Sequence, residues 1–439
     1  MAQLVLPLLV ASLSELLLSF VDVAIVGHLG IKELAAISTS AAIFSLIAEM
    51  LLAASVGFSI RAARAAGAGR IEEISEAAFH TLAILCAGSV LATIFLWTSG
   101  RALPGFISRD PEVARLAYKY LSVRGATLPL IAFGTTVRIC FDVVKKTSIG
   151  MRAALLSNLL NGIFSFWFVF GGGPIPAMGI VGSALGTVVA EVAAAVYLGW
   201  QFRKLAPVPF PRWQWRNTVA QDLFTLSVPE ITNMGIDYLG NFFFIAITGS
   251  LGSLALAGSR IALVLMTFFF VVALNFGLGI QILVGRALGA GDPALGLRLY
   301  REAQHIALAL FAFLAVLTYV GRDLLILIFT SSPEVGLTVR GSLGVVALSL
   351  PLMAWTTTQV GMLRANAETR GVLIANVLAV WLVQIPSAWI ATRFGLGLGG
   401  IYFAYFLYFL VRGSISYFRL HRPLAVLRGE AKGSYAPSE

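Results

Sequence analysis

The sequence predicts an all-α membrane protein with twelve transmembrane helices in two six-helix bundles, related by a parallel pseudo-two-fold repeat. Three observations lead to this prediction. Of the 439 residues, 58% are hydrophobic and only 12% are charged, whereas soluble domains carry about 25% charged residues. The chain contains twelve long apolar runs separated by short polar loops. Finally, the first half of the sequence recurs in the second half at an offset of 222 residues.

The apolar runs define the predicted helices. A helix that crosses a bilayer needs about 20 apolar residues, and it satisfies its own backbone hydrogen bonds, which lipid does not. Each run is long enough for such a helix and much longer than the strand of a membrane barrel. The predicted helices lie at 3–27, 34–62, 76–99, 117–143, 152–171, 177–203, 221–249, 256–287, 297–320, 338–365, 368–393 and 398–420.

The basic residues predict the orientation of these helices. Most Lys and Arg residues follow even-numbered helices or belong to the C-terminal tail, with which Arg412 and Arg419 are counted. The positive-inside rule therefore places both termini in the cytoplasm, and we expect a multi-pass protein of the cell inner membrane. The net charge of +10 is spread over these loops, which excludes a nucleic-acid-binding patch.

The internal repeat divides the chain into two bundles. At the offset of 222, Pro7 aligns with Pro229 and the segment 64–69 aligns with 286–291. Each copy holds an even number of helices, so both copies have the same orientation and an axis along the membrane normal relates them. The predicted domains are an N-terminal bundle at 1–203, a cytoplasmic linker at 204–220, a C-terminal bundle at 221–420 and a polar cytoplasmic tail at 421–439.

Several carboxylates lie inside the apolar runs, where a charge costs about 2.5–3.5 kcal/mol on insertion scales. Asp22 falls in the outer half of predicted helix 1, and its alternative interpretation is an interfacial acid near the next loop. Glu15, two turns earlier, coincides with Asp237 of predicted helix 7 at the repeat offset. We expect these two to be matched acids that face a central cleft, or else structural hydrogen-bond acceptors. Asn241 lies one turn after Asp237 and is placed to orient it, whereas Glu49 in predicted helix 2 has no obvious partner.

Amides and hydroxyls form a second set of candidates. Asn158, Asn161 and Ser165 lie on predicted helix 5, and Thr187 and Glu191 lie one turn apart on predicted helix 6. Their oxygens suit a hard cation such as sodium, whereas a proton needs only a carboxylate whose pKa is raised by desolvation. For Asn158 and Ser165 the alternative is ordinary hydrogen bonding between helices.

Two arginines have an acid four residues later in the sequence. Arg138 precedes Asp142 near the end of predicted helix 4, and Arg364 precedes Glu368 after predicted helix 10. Because side chains four apart are neighbours on a helix, this spacing predicts two intrahelical ion pairs that stabilise loop ends.

Signals of enzymatic chemistry are missing from the sequence. The chain has neither a GxxxxGK[ST] phosphate loop nor an HExxH zinc motif. Cys86 and Cys140 both lie within apolar runs, which gives no disulfide framework and no thiolate metal site. We therefore expect no enzyme, no cofactor and no bound metal.

The first predicted helix carries a recognisable signature. Its segment Phe20-Val-Asp22-Val-Ala-Ile-Val-Gly27-His28-Leu29-Gly30 resembles that of the multidrug and toxic compound extrusion (MATE) family, and in particular its damage-inducible-F-like branch. The segments 363–370 and 179–187 resemble two further motifs of the same family. The similarity extends over essentially the whole chain, and it is the combination of signature, helix count and repeat that makes it specific.

The resemblance implies export of amphipathic, often cationic compounds in exchange for protons or sodium. It makes Asp22 the coupling acid of the N-terminal bundle, with Asn161 and Thr187 beside it, and Asp237 falls where some members carry a functional acid. Ser165 replaces an aspartate of several members, and the surroundings of Ala354 lack the acid of the norfloxacin-exporter branch. Both departures favour protons over sodium as the coupling ion.

The leading hypothesis from the sequence is a proton-coupled antiporter that exports small-molecule drugs by alternating access. We expect it to be a monomer whose partners are the transported molecule, the proton and membrane lipid. One alternative is a sodium-coupled exporter of the same fold. A second is a flippase for lipid-linked saccharides, although such relatives commonly have fourteen helices and a strongly cationic cavity. A third is export of an endogenous metabolite or organic acid.

Overall fold

A computed structural model describes residues 2–108, 110–172, 174–209, 214–330 and 332–427 of the protein. The side chains of residues 2–4, 17–24, 27, 31, 253 and 421–427 are not among those described. The chain divides into two compact units, which comprise residues 2–66 with 70–227 and residues 67–69 with 228 onward. Each unit is built from α-helices that run along one another.

The N-terminal unit follows the order of the first six predicted helices. Two of the predicted helices are divided, the second into α2 and α3 and the fourth into α6 and α7. Short α5 connects α4 with α6. The helices are α1 (Ala2–Gly27), α2 (Ile31–Ala54), α3 (Val56–Gly67), α4 (Ile71–Thr98), α5 (Ala102–Ile107), α6 (Pro111–Gly125), α7 (Leu128–Val143), α8 (Thr147–Phe170) and α9 (Ile180–Leu205).

The two divisions have local causes that hydropathy does not reveal. Pro129 lies in the first turn of α7, and because proline lacks a backbone N–H it favours a new helix start at that point. The axes of α6 and α7 differ by 42°. Between α2 and α3, the Ser55 hydroxyl donates to the Leu52 carbonyl at 2.6 Å, a local bond that competes with the helical ladder.

The connection between α9 and α10 packs against the start of α4. Val208 is buried, and the Ser75 hydroxyl donates to the Pro209 carbonyl at 2.6 Å. The backbone N–H of Arg216 donates to Nε2 of His80 at 2.8 Å, and the Trp215 ring lies 4.8 Å from the His80 ring. Trp213 of the predicted linker lies outside the described residues.

The C-terminal unit repeats the same order with longer helices. Its predicted helix 8 is the continuous α11, and its predicted helix 11 consists of α15, a π-helical segment and α16. The elements are α10 (Asn217–Gly249), α11 (Ser253–Gly289), α12 (Pro293–Val320), α13 (Arg322–Phe329), α14 (Pro333–Ala365), α15 (Thr369–Leu378), the π segment (Ala379–Gln384), α16 (Ile385–Arg393) and α17 (Gly397–Leu427).

The described helices account for the predicted membrane spans. Nine spans among the described residues are long and apolar enough to cross a bilayer, and the bent pair α6 and α7 provides a tenth. Helices α1 and α10, with 26 and 33 residues, occupy the positions of predicted helices 1 and 7. The prediction of an all-α membrane protein with twelve transmembrane helices is thus confirmed.

The sequence repeat is also visible in the backbone. Gly69 and Gly291 have φ angles of 72° and 73°, and Lys145 and Ala367 have φ angles of 64° and 62°. Both pairs are 222 residues apart, the offset of the sequence repeat. Positive φ is uncommon outside glycine, so its recurrence at Lys145 and Ala367 indicates that the two units end their fourth and tenth predicted helices with the same turn.

Glycines allow the closest helix contacts in each unit. A Cβ atom at Gly186 of α9 would lie 2.5 Å from the backbone nitrogen of Ser165 in α8. A Cβ atom at Gly361 of α14 would lie 2.3 Å from the carbonyl oxygen of Gly277 in α11. Small residues at membrane helix crossings permit this approach, because helix association in lipid depends on close packing.

Candidate functional site

Helix α10 presents three polar side chains on one face of the C-terminal unit. Glu230, Asn233 and Asp237 are spaced three and four residues apart, which places them in one row along the helix. Glu230 and Asn233 are buried, whereas Asp237 is half-buried. The row brings two carboxylates into the interior of a membrane unit, where each requires compensation.

A chain of side-chain hydrogen bonds ends at Asp237. The Arg412 guanidinium donates to the Tyr408 hydroxyl, and the Tyr408 hydroxyl donates to Oδ1 of Asn376 at 2.9 Å. Nδ2 of Asn376 then donates to Oδ1 of Asp237 at 2.7 Å. Every donor in this chain faces toward the carboxylate, so the arrangement suits an ionised Asp237 that accepts.

The second carboxylate of the row forms a bidentate ion pair. Nε and Nη2 of Arg364 donate to the two carboxylate oxygens of Glu230 at 2.8 and 2.7 Å. The predicted intrahelical pair of Arg364 with Glu368 is therefore wrong. Helix α14 ends at Ala365 and α15 begins at Thr369, so Arg364 and Glu368 do not lie on one continuous helix.

Two backbone features bring Asn376 toward Asp237. A Cβ atom at Gly240, one turn after Asp237, would lie 2.6 Å from Cγ1 of Val380, so the glycine permits close packing of α10 on the π segment. The π segment begins three residues after Asn376, and Pro386 follows it in the first turn of α16. Because Pro386 has no N–H, the regular ladder is interrupted there, and π turns often occur at functional sites.

The N-terminal unit contains a smaller polar cluster between α8 and α9. Nδ2 of Asn161 donates to Oγ1 of Thr187 at 2.9 Å, and the Ser165 hydroxyl donates to Oδ1 of Asn161 at 3.0 Å. Asn161, Ser165 and Thr187 are all buried. The structure thus brings together three of the residues selected from the sequence, in a cluster of neutral groups.

Asn158 belongs to a different face of α8. Its Nδ2 donates to the Ser14 hydroxyl of α1 at 2.7 Å. Between these helices lies an open groove of about 970 Å³ with a largely apolar lining. Its lining includes Ser14, Ile25, Leu155, Asn158, Leu159, Ile163, Phe166 and Trp167.

Charged side chains of the N-terminal unit form a further group. Nη1 of Arg138 lies 3.8 Å from a Glu15 oxygen and Nε of Arg138 lies 4.0 Å from an Asp142 oxygen. Arg138 therefore contacts both Asp142, as its spacing predicts, and an acid of α1. Glu191 is half-buried and lies within electrostatic range of Arg124 and Glu15.

The same type of charged contact occurs within each of the two units, although their sequences differ. In each of them an arginine of the fourth or tenth predicted helix pairs with an acid of the first or seventh. Arg138 pairs with Glu15 in the N-terminal unit, and Arg364 pairs with Glu230 in the C-terminal unit. Asp237 aligns with Glu15 in the repeat, but its hydrogen-bond partner is Asn376 and not an arginine.

The remaining sequence-predicted residues have separate positions. The backbone of Asp22 belongs to α1, but its side chain lies outside the described residues. Glu49 of α2 is half-buried, and Asn241 of α10 is exposed. The amide bonded to Asp237 in the structure is that of Asn376 and not that of Asn241.

Four important residues of the C-terminal site were missed in the sequence: Glu230, Asn376, Tyr408 and Arg412. Glu230 follows Pro229 directly and Asn376 lies in an apolar run, two signals that were available. Arg412 was counted with the cytoplasmic tail, and this assignment is wrong because its residue is only 6% exposed and belongs to α17. An arginine within an apolar run is itself a signal of an interior partner.

Comparison with known sequences identifies the family. The MatE family model matches residues 7–167 and 229–390, two segments whose starts are separated by the offset of the internal repeat. The chain belongs to the MatE family. The matches cover most of the chain and include Asn161 and Ser165 of α8 and Asp237 of α10.

Relatives of this MATE chain include proteins with drug-resistance names. It is 24% identical to "Probable multidrug resistance protein NorM" of Thermotoga maritima over 413 residues, 91% of this chain and 86% of the relative. It is 24% identical to "Multidrug resistance protein MdtK" of Yersinia pseudotuberculosis over 400 residues, 88% of this chain and 86% of the relative.

Among solved structures, a MOP superfamily transporter from Pyrococcus furiosus has the same fold. The TM-score is 0.89 at 19% sequence identity, covering 97% of this chain and 96% of that chain. The similarity of fold over nearly the whole length agrees with the match of the MatE family model in both halves.

Proposed function

We propose that this MATE protein is a secondary antiporter that exports amphipathic, often cationic small molecules in exchange for protons by alternating access. The names of its relatives support a role in multidrug efflux. The open groove beside Asn158 supports amphipathic cargo, because its lining is apolar and aromatic with few polar groups. The protein functions as a multi-pass monomer of the inner membrane with both termini in the cytoplasm.

The observation that carries proton coupling is the environment of Asp237. Its hydrogen-bond partner is an amide N–H, and Arg412 and Arg364 lie within electrostatic range. These neighbours donate hydrogen bonds or carry positive charge, whereas a sodium ion needs several oxygen ligands. Such a carboxylate is suited to take up and release a proton.

The N-terminal cluster supports the same ion. Oδ1 of Asn161 accepts from the Ser165 hydroxyl, and Oγ1 of Thr187 accepts from the Asn161 amide. The oxygens that a sodium ion would require already serve as hydrogen-bond acceptors. In the proposed cycle, Asp22 and Asp237 are the principal coupling acids, Asn161 and Thr187 support Asp22, and Glu15 provides a third carboxylate on α1.

Protonation of the coupling acids drives the cycle, because it removes their negative charge. A proton entering from outside neutralises a coupling acid and weakens its attraction for a cationic substrate, which leaves on that side. Deprotonation on the cytoplasmic side restores the anionic site. The difference in proton concentration between the two sides therefore sets the direction of export.

An everted-vesicle assay tests this function. Vesicles from cells that express the wild type or Asp22→Asn are energised, ethidium is added, and its accumulation and the pH gradient are recorded. We expect the wild type to accumulate ethidium and collapse the gradient, and Asp22→Asn to do neither. Asp323→Asn is the matched control, because Asp323 is exposed and paired with Arg340.

Other outcomes discriminate between the remaining functions. Normal transport by Asp22→Asn would exclude Asp22 as a coupling acid. Transport that strictly requires sodium would favour a sodium-coupled exporter with Asp22, Asn161 and Thr187 as the cation site. A wild type that moves no ethidium under any ionic condition would favour the flippase for lipid-linked saccharides.

A further inference from the structure

The C-terminal unit holds a buried cation that the proposed cycle does not yet employ. Arg412 lies in α17, three residues after the end of the aromatic run 402–409, and the residue is 6% exposed. A buried guanidinium requires a compensating charge and hydrogen-bond acceptors. Its Nε has no hydrogen-bond partner among the described residues, so nearby acceptors do not satisfy all the N–H groups of the guanidinium.

The acids around Arg412 are not equally available to it. Glu230 is bound by Arg364 through two hydrogen bonds. Asp237 has no ion pair within 4.0 Å among the described residues and lies within electrostatic range of Arg412. Asp237 is therefore the carboxylate whose negative charge compensates the positive charge of Arg412.

Side chains from four elements surround Asp237. Its own helix contributes Glu230, α14 contributes Arg364 and α15 contributes Asn376. From α17, the side chains that act on one another and on Asp237 are Tyr405, Tyr408 and Arg412. With both acids ionised, the four formal charges sum to zero; with a proton on Asp237, the group carries one positive charge.

We propose that Arg412 is a positioning residue for proton coupling, which acts on Asp237 through Tyr408 and Asn376. This inference rests on the proposed proton-coupled export. Through Tyr408 and Asn376, Arg412 holds the ionised carboxylate in its accepting position. When Asp237 binds a proton, the charge of Arg412 loses its counterpart, so Arg412 favours the ionised carboxylate.

A purely structural Arg412 would have different consequences. If the guanidinium only anchored α17, its removal would lower the amount of folded protein or the transport rate at every pH. If it acts on Asp237, its removal makes protonation of that carboxylate easier, because a nearby positive charge favours the ionised form. The pH profile separates the two roles.

The test uses the purified full-length protein in proteoliposomes, with ethidium as the probe and no sodium. The pH midpoint of ethidium-driven proton movement is measured for the wild type, Arg412→Gln and Arg412→Lys. We expect Arg412→Gln to raise the midpoint by about one pH unit, a tenfold change in proton concentration, and Arg412→Lys to stay near the wild type.

A second variant guards against misfolding of Arg412→Gln. Tyr408→Phe keeps the charge but removes the hydroxyl between Arg412 and Asn376, and we expect a smaller shift in the same direction. An unchanged midpoint in folded Arg412→Gln would overturn the role of Arg412. A wild type that moves no protons would instead overturn the proposed function on which this role rests.

Discussion

Asn376 donates its side-chain amide to Asp237 at 2.7 Å and accepts the hydroxyl of Tyr408 at 2.9 Å. One amide thereby joins α10, α15 and α17 around a membrane carboxylate. Asn376 is fully buried, so its two bonds are formed without competition from water. This contact gives the C-terminal unit an acid whose surroundings are fixed by three helices.

Replacing Asn376 by Ala should therefore impair transport. The change removes the donor to Asp237 and the acceptor for Tyr408, and each lost buried hydrogen bond costs about 1–3 kcal/mol. We expect the rate of ethidium export to fall about tenfold or more. Asn241→Ala is the matched control, because Asn241 lies on α10 but is exposed; an equal loss in both variants would contradict a specific role for Asn376.

The bidentate pair of Arg364 and Glu230 should be important for stability. The Glu230 carboxylate is only 2% exposed, and removing one partner of a buried pair costs about 3–5 kcal/mol because the other charge remains unpaired. We expect Arg364→Met to lower the melting temperature of the detergent-solubilised protein clearly. The double variant with Glu230→Gln should be less destabilised than the two single effects combined.

The exposed pair of Asp323 and Arg340 provides the comparison for that measurement. Its side chains are 59% and 48% exposed, and surface pairs contribute about 0–1 kcal/mol. Arg340→Met should therefore leave the melting temperature nearly unchanged. Equal destabilisation by Arg364→Met and Arg340→Met would show that burial does not determine the strength of these pairs.

Gly186→Leu should disrupt the Asn161 cluster. A side chain at Gly186 meets the backbone nitrogen and hydroxyl of Ser165, each 2.5 Å from the Cβ position, so α8 and α9 must separate. We expect loss of folded protein or of transport. Gly341→Leu on α14 is the control, since Gly341 is exposed and nothing lies within 4 Å of its Cβ position; comparable loss there would mean that the effect is not one of packing.

Ser165→Asp should change the ion requirement. Ser165 bonds to Asn161, which in turn bonds to Thr187. A carboxylate at position 165 therefore adds an oxygen ligand of the kind that sodium prefers. We expect ethidium export by this variant to be stimulated by sodium, whereas Ser165→Ala remains insensitive. Proteoliposome assays with sodium or choline salts would detect the difference, and identical ion responses of the two variants would refute it.

The sequence was sufficient for the architecture because hydropathy, loop charge and repeat each depend on residues close in the chain. The resemblance to the MATE family also paired Asn161 with Thr187, and the structure shows this contact between the consecutive helices α8 and α9. Helical periodicity further indicated that Arg138 contacts Asp142. These predictions needed only the geometry of one helix or of two adjacent helices.

The C-terminal site depended on contacts that the sequence does not specify. Arg364 and Glu230 are 134 residues apart, and their pairing follows from how α10 and α14 are rotated against each other. Asn376 owes its position to the packing at Gly240 and to the π segment, neither of which alters hydropathy. Arg412 was misassigned because a basic residue near the end of an apolar run normally marks a loop.

The most direct measurement of the central claim is proton movement by the purified protein in sodium-free proteoliposomes with ethidium on one side. Wild type and Asp237→Asn are compared at equal protein content, with a pH-sensitive dye trapped inside. We predict ethidium-driven proton flux for the wild type and a strong reduction for Asp237→Asn. Ethidium transport by the wild type without any proton flux would contradict proton coupling, and undiminished flux in Asp237→Asn would remove that carboxylate from the mechanism.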